Sequence, residues 1–181
     1  MILRALLLAV LSVSVVSLAM AQQPPPVAVK KKPPAPKPGG PQRLGTYDDW
    51  TAATHQEAGQ PVCYAFTRAQ SSTPPISGRG GVVLTVTQRV AGRDAVALEA
   101  GFAYAQDATV TVQADQNSLE FYTHQRAAFA RKGHDAVTAF QTSGHAIAHS
   151  PGPHDAAVVD TFSLKGFSAA YAAISKACPP K

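Results

Sequence analysis

The sequence predicts a mainly β protein: an antiparallel β-sandwich or barrel-like sheet, with a short internal helix and a C-terminal helix packed on it. Three observations carry this expectation. From residue 62 onward, short β-branched or alternating apolar segments recur about every ten residues, divided by Gly, Pro, Asn and Asp. The apolar period changes to that of a helix only after Gly133 and after Gly166. Residues 44–181 have the length of one domain and show no internal repeat.

The residues before the domain are expected to lie outside the fold. Residues 1–21 carry one charge, Arg4, then an uncharged apolar run ending Ala19-Met20-Ala21. A charged start, an apolar centre and a small-x-small ending make a secretory signal peptide, cleaved after Ala21. The run is short of the about 20 apolar residues a spanning helix needs. An uncleaved inner-membrane anchor is the alternative. Residues 22–43 hold eight prolines, five basic residues and no aromatic. Such a segment buries too little surface to fold and favours extended polyproline II. At about 3.1 Å per residue it would span on the order of 65 Å as a semi-rigid linker. Its Lys30, Lys31, Lys32 and Lys37 suggest a second use, contact with an anionic envelope surface or a partner.

The domain opens with Tyr47-Asp48-Asp49-Trp50. A single tryptophan beside a turn-forming Asp pair reads as an anchor of the core or of a seam. Residues 62–66 form a strand with Val62, Tyr64 and Phe66 on one face and Cys63 on the other. Residues 71–81, with Pro74-Pro75 and Gly78-Arg79-Gly80-Gly81, read as an exposed loop. The β-branched run 82–87 is a strand. Residues 91–94 turn into a strand over 95–104, and residues 108–112 make another. Asp115-Gln116-Asn117-Ser118 is a hairpin turn before a strand over 119–123, and residues 126–131 follow as a strand. A short helix opens at Gly133-His134-Asp135, with Asp135 as its N-cap and Ala136, Val137, Ala139 and Phe140 behind it. Ser143-Gly144 end it. Residues 145–149 read as a strand, Pro151-Gly152-Pro153 as a turn, and residues 156–164 as the last strand.

Two periods meet at the C-terminus. Phe162 and Leu164 alternate with Thr161 and Ser163, as in a half-buried strand. After Gly166, Phe167, Tyr171, Ile174 and Cys178 fall at i, i+4, i+7 and i+11, one stripe of an α-helix. Alanines between them favour the helix, and Pro179-Pro180 stop it. Phe167 and Tyr171 are expected to anchor it.

Export places two cysteines, Cys63 and Cys178, in an oxidising compartment, where one disulfide is the simplest state. A free or intermolecular thiol is the other. Ten basic residues oppose eleven acidic ones from residue 44 onward, leaving the domain at −1. The basic surplus sits in the preceding segment, so the fold carries no nucleic-acid footprint.

The order of these features resembles the invasion-associated locus B family of exported alphaproteobacterial proteins. The resemblance rests on Tyr47-Asp48-Asp49-Trp50, on Cys63-Tyr64, on Gly78-Arg79-Gly80 before a Val-rich strand, and on the ending from Asp160-Thr161-Phe162-Ser163-Leu164-Lys165-Gly166-Phe167 to Cys178. Family members often carry a cysteine a few residues after the tryptophan. Here Ala52, Ala53 and Thr54 stand there, so a disulfide through that position is lost. The resemblance implies a β-rich periplasmic or envelope-associated protein without established catalytic residues.

Searching for chemistry finds little. No Gly-x-Ser-x-Gly is present, and Gly78-Arg79-Gly80-Gly81 lacks the Lys-Ser/Thr of a phosphate loop and precedes a strand. Asp48 and Asp49 are adjacent and point apart in an extended chain. His145, His149 and His154 lie within ten residues. On a strand His145 and His149 share a face about 13 Å apart, too far to share one metal. A zinc or copper(II) site at His149, His154 and Asp155 is the sharp alternative to scattered surface histidines. The expected function is therefore a non-enzymatic envelope protein, without cofactor, that binds an envelope component or a protein partner. A metal-binding or enzymatic module using residues 145–155 is the alternative.

Overall fold

A computed structural model of the chain describes residues 40–180, apart from the side chain of Asp155. The signal segment 1–21 with its cleavage after Ala21, the Pro/Lys segment up to residue 39 and its Lys30, Lys31, Lys32 and Lys37 lie outside the described residues. No helix among the described residues is long and apolar enough to cross a membrane.

The fold is mainly β. Its strands are β1 (Gln42–Tyr47), β2 (Trp50–Glu57), β3 (Gln60–Arg68), β4 (Ser71–Thr73), β5 (Val83–Arg89), β6 (Gly92–Glu99), β7 (Thr109–Ala114), β8 (Asn117–His124), β9 (Ala127–Ala130), β10 (His145–Pro151) and β11 (Ala157–Ser163). They form one antiparallel sheet in the order β1-β2-β3-β5-β6-β9-β8-β7-β10-β11-β4. Helix α1 (Gly133–Thr142) packs on β6 and β8, and α2 (Phe167–Ala177) lies across β1, β2, β3 and β5.

The sheet rolls because β3 and β4 are joined by only Ala69 and Gln70, yet β4 pairs with β11 at the far end of the strand order. The Ala69 N–H donates to Val82 O at 3.0 Å, and the Gln70 N–H donates to Thr161 O at 2.8 Å. Both ends of the order β3 to β4 thus meet at this link, and β1 and β2 extend beyond it.

Period two then sorts the side chains. Ala65, Val86 and Val96 lie side by side across β3, β5 and β6 and face the core, as do Leu84, Leu98 and Ala128 one step along. Small Ala52, Cys63 and Ala65 leave room for α2, whose Phe167 and Ile174 are fully buried. Trp50 meets Phe167 edge to face at 4.8 Å, and Phe167 meets Phe140 of α1 at 5.7 Å. Gly166 starts α2 at φ 87°, and a Cβ there would strike the Tyr47 carbonyl, so only glycine suits the position.

Several local expectations shift. Asp135 is not the N-cap of α1: the helix begins two residues earlier, after Lys132, and Asp135 sits in its first turn. The first helical residue, Gly133, lies so close against the Asp94 carbonyl that a Cβ would collide with it, so glycine is required where the helix meets β6. Residues 71–81 are not simply a loop, since Ser71–Thr73 pair with Thr161, Asp160 and Val159 of β11. The strand expected over 95–104 ends at Glu99, and its turn falls at Val90–Ala91. Pairing also reaches back to Gln42, where β1 joins β2 around Asp48, a residue type that tolerates its φ of 46°.

Candidate binding surface

The motifs behind the family resemblance meet one another in the fold. Trp50 Nε1 donates to Ser163 O at 3.0 Å, the Asp49 N–H to Lys165 O at 3.3 Å, and Lys165 Nζ stands 3.1 Å from Asp48. Cys63 and Cys178 are joined as a disulfide, with Cα atoms 5.9 Å apart. Arg79 turns inward from its glycine-rich loop and forks onto Asp160, Nη1 to Oδ1 at 2.8 Å and Nη2 to Oδ2 at 2.7 Å. Ser72 Oγ adds a bond to Asp160 at 2.6 Å, Arg79 Nε donates to Ala100 O, and the guanidinium lies over the Phe102 ring. Asp160 is fully buried and Arg79 nearly so. All three guanidinium nitrogens of Arg79 and both carboxylate oxygens of Asp160 thus have protein partners, and the pair braces the seam between β4 and β11.

A second polar centre forms at Asp94. Its Oδ1 accepts from Tyr171 OH at 2.7 Å and from Gln88 Nε2 at 2.6 Å, while its N–H donates to Gln88 Oε1 at 3.0 Å. Its Oδ2 stands 3.0 Å from His134 Nδ1. Burial opposes the charge on Asp94, but the hydrogen bonds from His134, Gln88 and Tyr171 outweigh it and hold the carboxyl below its ordinary range. Burial and the bond to Asp94 push the Tyr171 phenol up. An Asp–His pair is one element of general-base catalysis, yet His134 is 79% exposed. The neighbouring hydroxyl of Thr138 donates to the His134 backbone carbonyl, not to the ring. The centre ties α1, β5, β6 and α2 together.

The histidines of the metal alternative are surface residues. His145 and His149 lie on β10, exposed, opposite Ser163 and Val159. His154 is exposed in a single 3-10 turn at Pro153–Asp155, with φ 56°. Among the described residues no group of three or more His, Cys, Asp or Glu is arranged to hold a metal. The Asp155 side chain, the third ligand of that reading, lies outside them.

Several concave regions open on the surface of the described residues, and two of them bear on binding. One, about 550 Å³, runs between α1 and the β7–β8 hairpin and is lined by Gln116, Asn117, Ser118, Asp135, Thr138 and Thr142. The other, about 300 Å³, sits at the start of β2 and the end of β3 and is walled by Asp49, Thr51, Phe66, Thr67, Arg68 and Gln70. It continues a row of rings on the outer face of the sheet: His55 meets Tyr64 at 5.5 Å, and Tyr64 lies 6.1 Å from Phe66, 27° from parallel. The alternation at residues 62–66 showed that Tyr64 and Phe66 share a face. That this face looks outward depends on α2 occupying the other.

No protein-family model matches the sequence, and no curated protein matches it. A solved structure does share the architecture: invasion associated protein B from Bartonella henselae, with a TM-score of 0.53 at 18% identity over 74% of this chain and 95% of that one. The chain has the invasion associated protein B fold. At this identity the likeness is one of fold, and it agrees with the resemblance read from the four motifs. In the invasion associated protein B fold of this chain, those motifs brace β4 against β11 and seat α2.

Proposed function

We propose that this chain is exported to the bacterial envelope and there binds an envelope component or a protein partner without catalysing a reaction. The supporting observation is how its polar groups are used. Asp48, Arg79, Asp94 and Asp160, among the polar side chains that residue type would nominate for chemistry, are engaged in internal pairs. The outer face of β2 and β3 instead presents rings and a pocket to solvent. The signal-like residues 1–21 and the proline-rich segment suit a protein held near a surface. Affinity capture from solubilised envelope fractions, with the chain purified with and without residues 22–43, tests the reading. Recovery of a specific component above a tagless control is expected. Recovery of nothing by either form would overturn it. N-terminal sequencing of the cellular protein is expected to begin at Gln22, and an intact Met1 would show the anchored form.

A further inference from the structure

The pocket of about 300 Å³ at Phe66 is lined by this half-buried ring together with Asp49, Thr51, Thr67, Arg68 and Gln70, a volume at the lower end of the range for small-ligand sites. Among the described residues, the side chains of Asp49 and Arg68 take part in no ion pair; it is Asp48 that binds Lys165. Their backbone is nevertheless fixed. Thr67 Oγ1 donates to Asp49 O at 2.8 Å, the Asp49 N–H reaches Lys165 O, and the Gln70 N–H is bound to Thr161 O. A backbone held in place before a ligand arrives lowers the entropy lost on binding.

The chemistry of the lining selects a ligand class. An anion would meet Asp49, and a cation would meet Arg68. An extended peptide seeking a sheet edge finds none, because β3 is paired on both sides, to β2 and to β5. A pyranose has an apolar C–H face for an aromatic ring and hydroxyls that need acceptors and donors together. Asp49 accepts, Arg68 donates, and Gln70 and Thr51 do both. The ring row from His55 through Tyr64 extends this surface beyond one sugar. We infer that the outer face of β2 and β3 is a saccharide-binding site, with a sugar ring stacked on Phe66 and its hydroxyls bound by Asp49, Arg68 and Gln70. This rests on the envelope-binding reading and names the ligand class.

The test uses the exported chain with three probes: cosedimentation with purified peptidoglycan sacculi, and calorimetric titration with lipopolysaccharide and with chitotetraose. Binding to any of them is expected, and the pattern among the three identifies the source of the glycan. Phe66→Ala and Asp49→Ala should each weaken binding about ten-fold, while Tyr122→Ala, exposed on distant β8, leaves it unchanged. Asp49 and Gln70 are exposed, so Asp49→Ala and Gln70→Ala fold and test the site even if Phe66→Ala does not. Failure of all three probes, or undiminished binding by Asp49→Ala and Gln70→Ala, overturns the saccharide site. So does a peptide of residues 22–41 binding at Phe66 in place of the glycans. Envelope capture that persists while the glycans fail removes this inference and leaves the broader reading standing.

Discussion

At the scale of single residues, two buried polar centres carry unequal risks. Arg79 and Asp160 satisfy each other in a fork with almost no solvent. Removing one partner leaves the other charge buried and unpaired, which costs about 3–5 kcal/mol. Arg79→Ala and Asp160→Ala should each show that loss in urea unfolding. Arg79→Met with Asp160→Leu should lose less than either, because no charge is left stranded. Asp94 supplies a pH dependence. Its folded value lies below the ordinary 3.8, so its contribution to stability is full above that range and fades as pH falls through the folded value. The melting temperature of the native chain should therefore drop more steeply between about pH 5 and pH 2 than that of Asp94→Asn. Parallel curves would show that the bonds from His134, Gln88 and Tyr171 stabilise nothing. Neither centre was legible in the sequence. Arg79 finds its partner 81 residues away and Asp94 bonds Tyr171 at a separation of 77, distances at which local pattern carries no information.

At the scale of elements, α2 is the piece most fully written into the sequence. Its stripe, its starting glycine and its stop are all local signals, and Phe167, Ala170 and Ile174 are its buried residues. The disulfide closes a loop of 115 residues, worth up to roughly 4–5 kcal/mol by chain entropy. Cys178→Ser is expected to lower stability by a few kcal/mol within that bound, read as a lower denaturation midpoint. Equal melting temperatures with and without reductant would count against it. Phe167→Ala, which empties the contact with Trp50 and Phe140, should cost about 3–5 kcal/mol. Elements whose identity depends on a neighbour were harder to see. β4 is Ser71-Ser72-Thr73, three polar residues that are a strand only because β11 runs beside them. β1 is largely exposed and offers no apolar alternation, so its first two residues, Gln42 and Arg43, read as the end of the linker and the rest as no strand.

At the scale of the whole domain, period two marked eight of the eleven strands and how their faces alternate, missed β1, β2 and β4, and left the order open. The jump from β3 across the sheet to β4 follows from hydrogen bonds at Ala69 and Gln70, which no turn signal announces. The same holds for the surface proposed to bind. Tyr64 and Phe66 were visible as one face, but aromatic residues on a strand are ordinarily assigned to the core. Here the core side is taken by alanines and cysteine beneath a helix.

The pairing of segments far apart in sequence also dictates an order of events. Residues 47–79 wait for partners between Asp160 and Cys178: Trp50 for Ser163, Arg79 for Asp160, β4 for β11, Cys63 for Cys178. Pairings this distant in sequence form late and slowly. A fragment that stops before β11 leaves Trp50, Arg79, β4 and Cys63 without these partners, so the fold is completed only by residues at least 81 positions further along the chain than Arg79. The early hairpins must therefore hold their open edge until that segment arrives.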